Sequence, residues 1–203
     1  MLKVVIGTTI ERNIRMADTI ITPKGTARYP WLNKADTKWH DLGEYKVDLL
    51  VPKDQAEPLI EMIEEKFAET KAANKSKKDA PRPYFDDVNA DGDETGLVVF
   101  KCKNKNRINS KTGEVWDRKP IIVDSKGNPT DVEIGGGSVL RGKLELYPWH
   151  NSALGTGVSL QIKAIQVVEL EPLRKQEFDA IDGFEADEEE EPVSRKIDDE
   201  DLF

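Results

Sequence analysis

A row of cations at every second position is the feature of this sequence most able to bind a ligand. The row comprises Lys101, Lys103, Lys105 and Arg107. Side chains at this spacing project from one face of a β-strand, where they can follow the phosphodiester backbone of a nucleic acid. A solvated outer face, or a charged edge that prevents aggregation, is the alternative for the row taken alone. Arg141 and Lys143 repeat the spacing on a second segment, which favours binding.

Aromatic side chains among polar or chain-breaking neighbours are the second candidate feature. A ring in this setting can present its face to a nucleobase, and each stacked base contributes about 1–3 kcal/mol. A cap over the end of a barrel is an equally good interpretation of any one ring. The rings assigned to binding are Trp31, Trp39, Trp116, Tyr147 and Trp149. Tyr147 and Trp149 are the strongest of these, because they end the segment that carries Arg141 and Lys143.

The C-terminal segment combines a high negative charge with an apolar end. Residues 177–203 contain 13 Asp or Glu and only two cations, a net charge of −11, whereas the preceding 176 residues carry +2. Like charges at this density predict disorder, and a purely solubilising end is one interpretation. The charge also predicts competition with nucleic acid for cations on the body, and the apolar end predicts an anchor for a partner protein. The predicted partner-binding residues are Asp198, Asp199, Glu200, Asp201, Leu202 and Phe203.

Two motif-like segments do not predict a metal or nucleotide site. Residues 87–92 match the first half of a calcium loop, but Val98 stands where a bidentate Glu is needed, so a hairpin or loop tip is predicted. Residues 134–138 lack the lysine of a phosphate-binding loop, which favours a bulge or close backbone packing. No Ser/His/Asp or Cys/His set is recognisable. We therefore predict no cofactor, no bound metal and no enzymatic activity.

The single cysteine and the hydropathy pattern indicate a cellular setting. Cys102 is the only cysteine, which excludes an intramolecular disulfide and, with only two histidines, any common zinc pattern. No run approaches the roughly 20 apolar residues of a membrane-spanning helix, and the N-terminal apolar run is too short for a signal peptide. We expect a soluble intracellular protein in a reducing compartment, with no membrane partner.

Five strands and one helix must position these side chains. Apolar residues alternate with polar ones in the predicted strands, which are residues 45–51, the segment from Leu97 through the cation row, and residues 115–123, 139–146 and 158–168. Apolar residues four apart predict an amphipathic helix near 55–73, in which Pro58 fits poorly beyond the first turn, and residues 74–95 are predicted to form a long loop. The fold class predicted is a mainly β, five-stranded OB-type barrel, with a β-sandwich as the alternative. The barrel would occupy residues 1–176, and residues 177–203 would form the tail.

Four segments resemble the single-stranded DNA-binding proteins of short-tailed coliphages. These segments are GEYKVDLLVP at 43–52, VVFKCKN at 98–104, VDSKGNPTDVEIGGGSVLRGKLELYPW at 123–149 and GTGVSLQIKAIQVVEL at 155–170. The resemblance implies an OB-fold whose DNA groove includes Lys101, Lys103, Tyr147 and Trp149. It also implies that the tail contacts the replicative DNA polymerase and the helicase-primase, with Phe203 as part of the contact. Residues 1–42 match the family only loosely, so the assignment of Trp31 and Trp39 to binding is based on their side-chain chemistry alone.

The residues and the resemblance together predict a protein that binds single-stranded DNA without sequence preference. It would act in phage DNA replication, recombination and repair, in the cytoplasm of the infected bacterial host. An OB-type adaptor that binds only proteins and an RNA-binding barrel are the alternatives. The sequence leaves open whether the chain is a monomer or a homodimer.

Overall fold

Five β-strands hydrogen-bond in a closed ring that forms the body of the protein. The computed structural model describes residues 19–173, so the acidic tail lies outside the described residues. The strands are β1 (Thr19–Ile21), β2 (Gly25–Asp36), β3 (Glu44–Pro52), β4 (Tyr84–Val88), β5 (Glu94–Lys105), β6 (Arg107–Ile108), β7 (Val115–Trp116), β8 (Ile121–Val123), β9 (Val139–Asn151) and β10 (Gly155–Glu169). The ring runs β2–β3–β5–β10–β9 and back to β2, with only β5 and β10 parallel. The predicted OB-type fold is confirmed.

Alternating apolar residues build the core inside this ring. On β3, Val47, Leu49 and Val51 are buried while the residues between them are half-buried. β5 continues the pattern with Phe100 and Cys102 inside and its lysines outside. Each fully buried aliphatic or aromatic side chain contributes about 1.5–3 kcal/mol. The same alternation that fills the core therefore sends the polar residues of these strands to the outer face.

One helix, α1 (Lys53–Asn74), follows β3 and precedes β4 in the chain. It packs against the ring strands β3, β5, β9 and β10. It buries Leu59, Ile63 and Phe67, as their spacing predicts. The helix is two residues longer at its start than the predicted 55–73, and Pro58 lies inside it. The missing N–H of proline leaves one helical hydrogen bond unmade, and the buried apolar face outweighs this loss. Lys75, in the left-handed conformation with φ 49°, ends the helix.

One strand prediction is wrong, and one strand of the ring is missing from the prediction. Residues 115–123 do not form a ring strand: they divide into β7, which pairs with β6, and β8, which pairs with the edge of β10. The ring strand in their place is β2, which the sequence did not predict. Ala27 and Leu32 both face the core although they are five residues apart, because irregular pairing near Tyr29 (φ 51°) interrupts the alternation. A strand with that interruption does not show period-2 hydrophobicity.

The predicted loop over residues 74–95 also contains a strand. β4 pairs with β5 in antiparallel register, but its only buried residue is the polar Asp87, so no apolar alternation marks it. The Asp87 carboxylate accepts hydrogen bonds from the Arg28 guanidinium at 2.7 Å and from the Thr95 hydroxyl at 3.0 Å. Both contacts lower the pKa of Asp87, because they stabilise its charged form.

The two motif-like segments are structural, as predicted. The calcium-like segment forms the turn between β4 and β5, where the Asn89 side chain accepts hydrogen bonds from the backbone N–H groups of Asp91 and Asp93 at 2.9 Å. A Cβ on Gly135 would lie 2.6 Å from the carbonyl oxygens of Glu171 and Pro172, so this segment packs backbone against backbone. Within residues 19–173, no group of three His, Cys, Asp or Glu is placed to hold a metal ion. None of the described helices is long and apolar enough to cross a membrane.

Candidate nucleic-acid interface

A groove of about 400 Å³ lies over the outer faces of β5, β10 and β9. Five residues that the sequence predicts for binding line it, namely Lys103, Lys105, Arg107, Tyr147 and Trp149. The other lining residues are His40, Asn106, Arg118, Ser159 and Gln161. The groove therefore unites cations from one strand with aromatic rings from another.

Three cations of the groove have no carboxylate partner among the described residues. Within the described part of the chain, no carboxylate lies within ion-pair distance of Lys103, Lys105 or Arg107. Lys46, directly opposite Lys103 on β3, differs: its ammonium lies 2.6 Å from the Asp36 carboxylate and lowers the pKa of Asp36. Positive charge without an internal partner is the property that an anionic ligand requires of a site.

Two buried asparagines hold the backbone around the groove in place. The Asn104 amide donates to the Ile162 carbonyl at 2.6 Å and accepts from the Ile162 N–H at 2.9 Å, which joins β5 to β10. Asn104 also donates to the Arg118 carbonyl at 2.9 Å. Asn106 accepts from the Arg118 N–H at 2.9 Å and donates to the Leu42 carbonyl at 2.9 Å. These bonds place the backbone of Arg118 at the end of the groove.

Arg118 adds a fourth cation, which is not among the residues that the sequence analysis assigns to binding. Its guanidinium donates to the Gln161 side-chain oxygen at 2.5 Å and lies 5.3 Å from the centre of the Trp116 ring. Partial burial and the charge of Arg107 lower the pKa of Arg118, but a guanidinium stays protonated at neutral pH. The closeness of Trp116 and Arg118 in the sequence was the available signal. That signal could not place Arg118, because residues 115–123 were predicted to form one regular ring strand, whereas Arg118 lies between β7 and β8.

The Trp149 ring is held in one orientation by β10. Its indole N–H donates to the Ser159 hydroxyl at 3.0 Å. A Cβ on Gly157 would lie 2.3 Å from the Trp149 ring. The ring therefore packs directly on the backbone of Gly157, where any other residue would place a side chain in its way. Tyr147, directly opposite Ser159 on the same outer face, is 39% exposed. Both rings therefore border the groove, and the orientation of the Trp149 ring is fixed by its contacts with β10.

Three predicted binding residues flank the groove without lining it. Lys101 shares the outer face of β5, but its ammonium lies 5.3 Å from the centre of the Phe85 ring. Trp116 is paired with Arg107 across β6 and β7 and is 60% exposed. Trp39, next to the groove residue His40, is 80% exposed in the connection between β2 and β3.

The remaining three lie apart from it. Arg141 and Lys143 occupy the outer face of β9, but Glu145, which pairs with Lys163, separates them from Tyr147. Trp31 lines a different depression, of about 240 Å³, together with residues that include Ile134 and Leu173. Residues 198–203 of the tail lie outside the described residues, so their partner-binding role stays a prediction.

Four groove residues carry no signal that sequence reasoning could have used. His40, Asn106, Ser159 and Gln161 are common polar residues in unremarkable sequence surroundings. The ring closure brings them together, since β10 supplies Ser159 and Gln161 from the far end of the chain while β5 supplies Asn106 just beyond its last residue.

Comparison with known sequences connects this chain to phage proteins. The family model described as "Single-stranded DNA-binding protein, Bacteriophage T7" matches residues 24–170. The single-stranded DNA-binding protein of Escherichia phage T7 is 35% identical over 150 residues, which is 63% of this chain and 62% of that protein. The corresponding protein of Enterobacteria phage T3 is 33% identical over 175 residues, or 72% and 73% of the two chains.

Comparison with solved structures gives the same result. The crystal structure of the single-stranded DNA-binding protein encoded by bacteriophage T7 superposes with a TM-score of 0.64 and 29% identity, covering 83% of this chain and 98% of that one. A single-stranded DNA-binding protein from bacteriophage Enc34, in complex with single-stranded DNA, superposes with a TM-score of 0.57 and 18% identity. That alignment covers 76% of this chain and 88% of that one, and it bears on the fold alone.

Proposed function

Because this chain belongs to the family of the bacteriophage T7 single-stranded DNA-binding protein, we propose that it binds single-stranded DNA without sequence preference in the groove over β5, β10 and β9. The observation that carries the proposal is that one groove combines two aromatic rings with cations that have no carboxylate partner among residues 19–173. OB folds bind oligonucleotides on the face of their second and third strands and on adjacent loops. Here the third ring strand, β5, and the first connecting loop, which holds His40, both contribute.

Each part of the groove suits one part of a nucleotide. Lys103, Lys105 and Arg107 would neutralise successive phosphates and release the counterions condensed on them. Tyr147 and Trp149 would stack with bases, a contact that tolerates any sequence because every base has a π-face. Binding of this kind involves no bond making or breaking, in keeping with a family that is not enzymatic.

The family and the charge of the tail support a proposal about the wider role of the protein. We propose that the protein coats single-stranded DNA during phage replication, recombination and repair in the host cytoplasm. When DNA fills the groove, the tail of charge −11 is displaced from the cations, and its end becomes available to the replicative polymerase and the helicase-primase. A homodimer is compatible with this role and is not required by it.

A fluorescence titration separates this proposal from its alternatives. Trp149 lines the groove, so oligodeoxythymidylate is expected to quench tryptophan emission of the full-length protein. A protein-only adaptor would show no change with any nucleic acid. An RNA-binding barrel would prefer oligouridylate at the same salt concentration, because the 2′-hydroxyl alters local fit.

Replacement of Trp149 by Ala is expected to weaken DNA binding about 5- to 150-fold, which corresponds to the 1–3 kcal/mol of one stacked base. Gly157→Ala keeps the ring but must displace it, since the new Cβ would lie 2.3 Å from it, so binding should weaken in the same direction. Anisotropy titration with labelled oligodeoxythymidylate measures both variants. If Trp149 is only a cap, its loss will lower the melting temperature and leave the affinity of the folded protein unchanged.

A further inference from the structure

Three exposed lysines lie together just after helix α1. Lys75, Lys77 and Lys78 have exposed side chains, and within residues 19–173 none of them is within ion-pair distance of a carboxylate. The neighbouring Asp79 does not neutralise them, since its carboxylate pairs with Lys71 at 2.7 Å. We call Lys75, Lys77 and Lys78 the lysine patch. Among the described residues, these lysines are a second group of cations without a carboxylate partner, and none of them lines the groove.

The lysine patch is held against the hairpin of β9 and β10. The Thr156 N–H donates to the Lys78 carbonyl at 3.1 Å, and the Ala80 N–H donates to the Thr156 carbonyl at 2.8 Å. Gly155 has φ +93°, and a Cβ there would lie 2.4 Å from the Lys78 carbonyl oxygen. The Ser76 hydroxyl also donates to that oxygen, at 2.8 Å. These contacts fix the backbone of the loop at Lys78 relative to the hairpin.

This position is next to the aromatic end of the groove. Thr156, which binds the Lys78 backbone, directly precedes Gly157, against which the Trp149 ring rests. At about 3.3 Å per strand residue, the Lys78 carbonyl and the support of the Trp149 ring are within roughly 10 Å. The groove cations lie toward the other end, because Lys103 follows Cys102, which is paired with Leu160. Along β10, the residue that binds the Lys78 backbone therefore lies next to the support of the Trp149 ring, and the groove cations lie several residues further on.

We propose that the lysine patch is a second phosphate-contacting site, which extends the path of single-stranded DNA past Trp149. The inference depends on the proposed function, since it assigns a further segment of the same ligand. A strand that reaches from Arg107 to Trp149 would leave the groove beside the hairpin, and its next phosphates would meet Lys77 and Lys78. A short oligonucleotide would occupy the groove alone, and a longer one would occupy both sites.

The test uses the full-length protein with the double substitution Lys77→Gln and Lys78→Gln, titrated with oligodeoxythymidylates of about 6 and about 16 nucleotides, within the range of OB-fold site sizes. The matched control is Lys24→Gln with Lys126→Gln. Both control lysines are exposed and lie at the opposite end of the β9–β10 pair, near Leu140 and Gln166.

Each lost phosphate contact lowers the slope of log affinity against log salt by about 0.7 on a single strand. For the longer oligonucleotide, the loss of two contacts should therefore flatten the slope by about 1.4 and lower the affinity near 0.1 M salt roughly 20-fold. The shorter oligonucleotide and the control should change less than about twofold. Equal losses at both lengths, an unchanged slope, or tighter binding caused by release of the acidic tail would each overturn the inference. If the unmodified protein bound neither oligonucleotide, the proposed function itself would be wrong.

Discussion

The simultaneous replacement of Lys103, Lys105 and Arg107 by Gln should lower the affinity for single-stranded DNA about 100-fold near 0.1 M salt. The three side chains line the groove without carboxylate partners among residues 19–173, so each is expected to neutralise one phosphate. Three lost contacts flatten the log–log salt slope by about 2, at about 0.7 per phosphate on a single strand. Titrations at four or more salt concentrations measure the slope directly.

The matched control for this variant carries Lys24→Gln, Lys34→Gln and Lys126→Gln, which make the same charge change at exposed positions outside the groove. The control should keep the slope of the unmodified protein. Both variants should unfold at an unchanged temperature, because the substituted side chains are not part of the core. A slope that stays the same in the groove variant would remove β5 from the DNA site.

Deletion of residues 177–203 is expected to tighten DNA binding roughly tenfold or more at low salt. A tethered segment of charge −11 is present at high effective concentration near the groove cations, where it competes with DNA. Salt screens this competition, so the gain should shrink as salt increases. The same deletion should abolish the binding of partner proteins. Equal affinities of the two proteins at every salt concentration would contradict competition by the tail.

Phe203→Ala is the control that separates charge from anchoring. It removes an apolar side chain and leaves the tail charge at −11, so the competition with DNA should remain. Recruitment of the cognate polymerase in a pull-down assay should fall sharply if the terminal ring fills a pocket on the partner. Undiminished recruitment would mean that the tail acts as a diffuse polyanion without an anchor.

Regular alternation was enough to predict the strands that carry the cations. β3 alternates apolar and polar residues from Tyr45 to Leu49, and β5 alternates buried and exposed residues from Phe100 to Lys105, so both their existence and the direction of Lys103 and Lys105 follow from the sequence. β2 could not be found in this way, because the irregularity near Tyr29 shifts Ala27 and Leu32 out of phase. The predicted ring therefore had the right number of strands with one of them misplaced.

The tertiary arrangement of the ring determines which side chains share the groove, and the sequence alone does not show this. Arg141 and Lys143 have the same spacing as the groove cations, yet Glu145 and its partner lie between them and Tyr147. Arg118 enters the groove only because Asn104 and Asn106 hold its backbone there. Spacing predicts which face a side chain occupies. It does not predict which neighbouring strand, ion pair or loop shares that face.

The central claim is that single-stranded DNA lies in the groove over β5, β10 and β9, and photocrosslinking tests it most directly. An oligonucleotide containing 5-bromodeoxyuridine would be crosslinked to the full-length protein, and the modified peptides would be identified by mass spectrometry. We predict crosslinks at Tyr147 and Trp149, which border the groove, and their loss when unlabelled oligodeoxythymidylate competes. Competable crosslinks confined to Trp31, which lines a separate depression, would contradict the assignment of the groove as the DNA site.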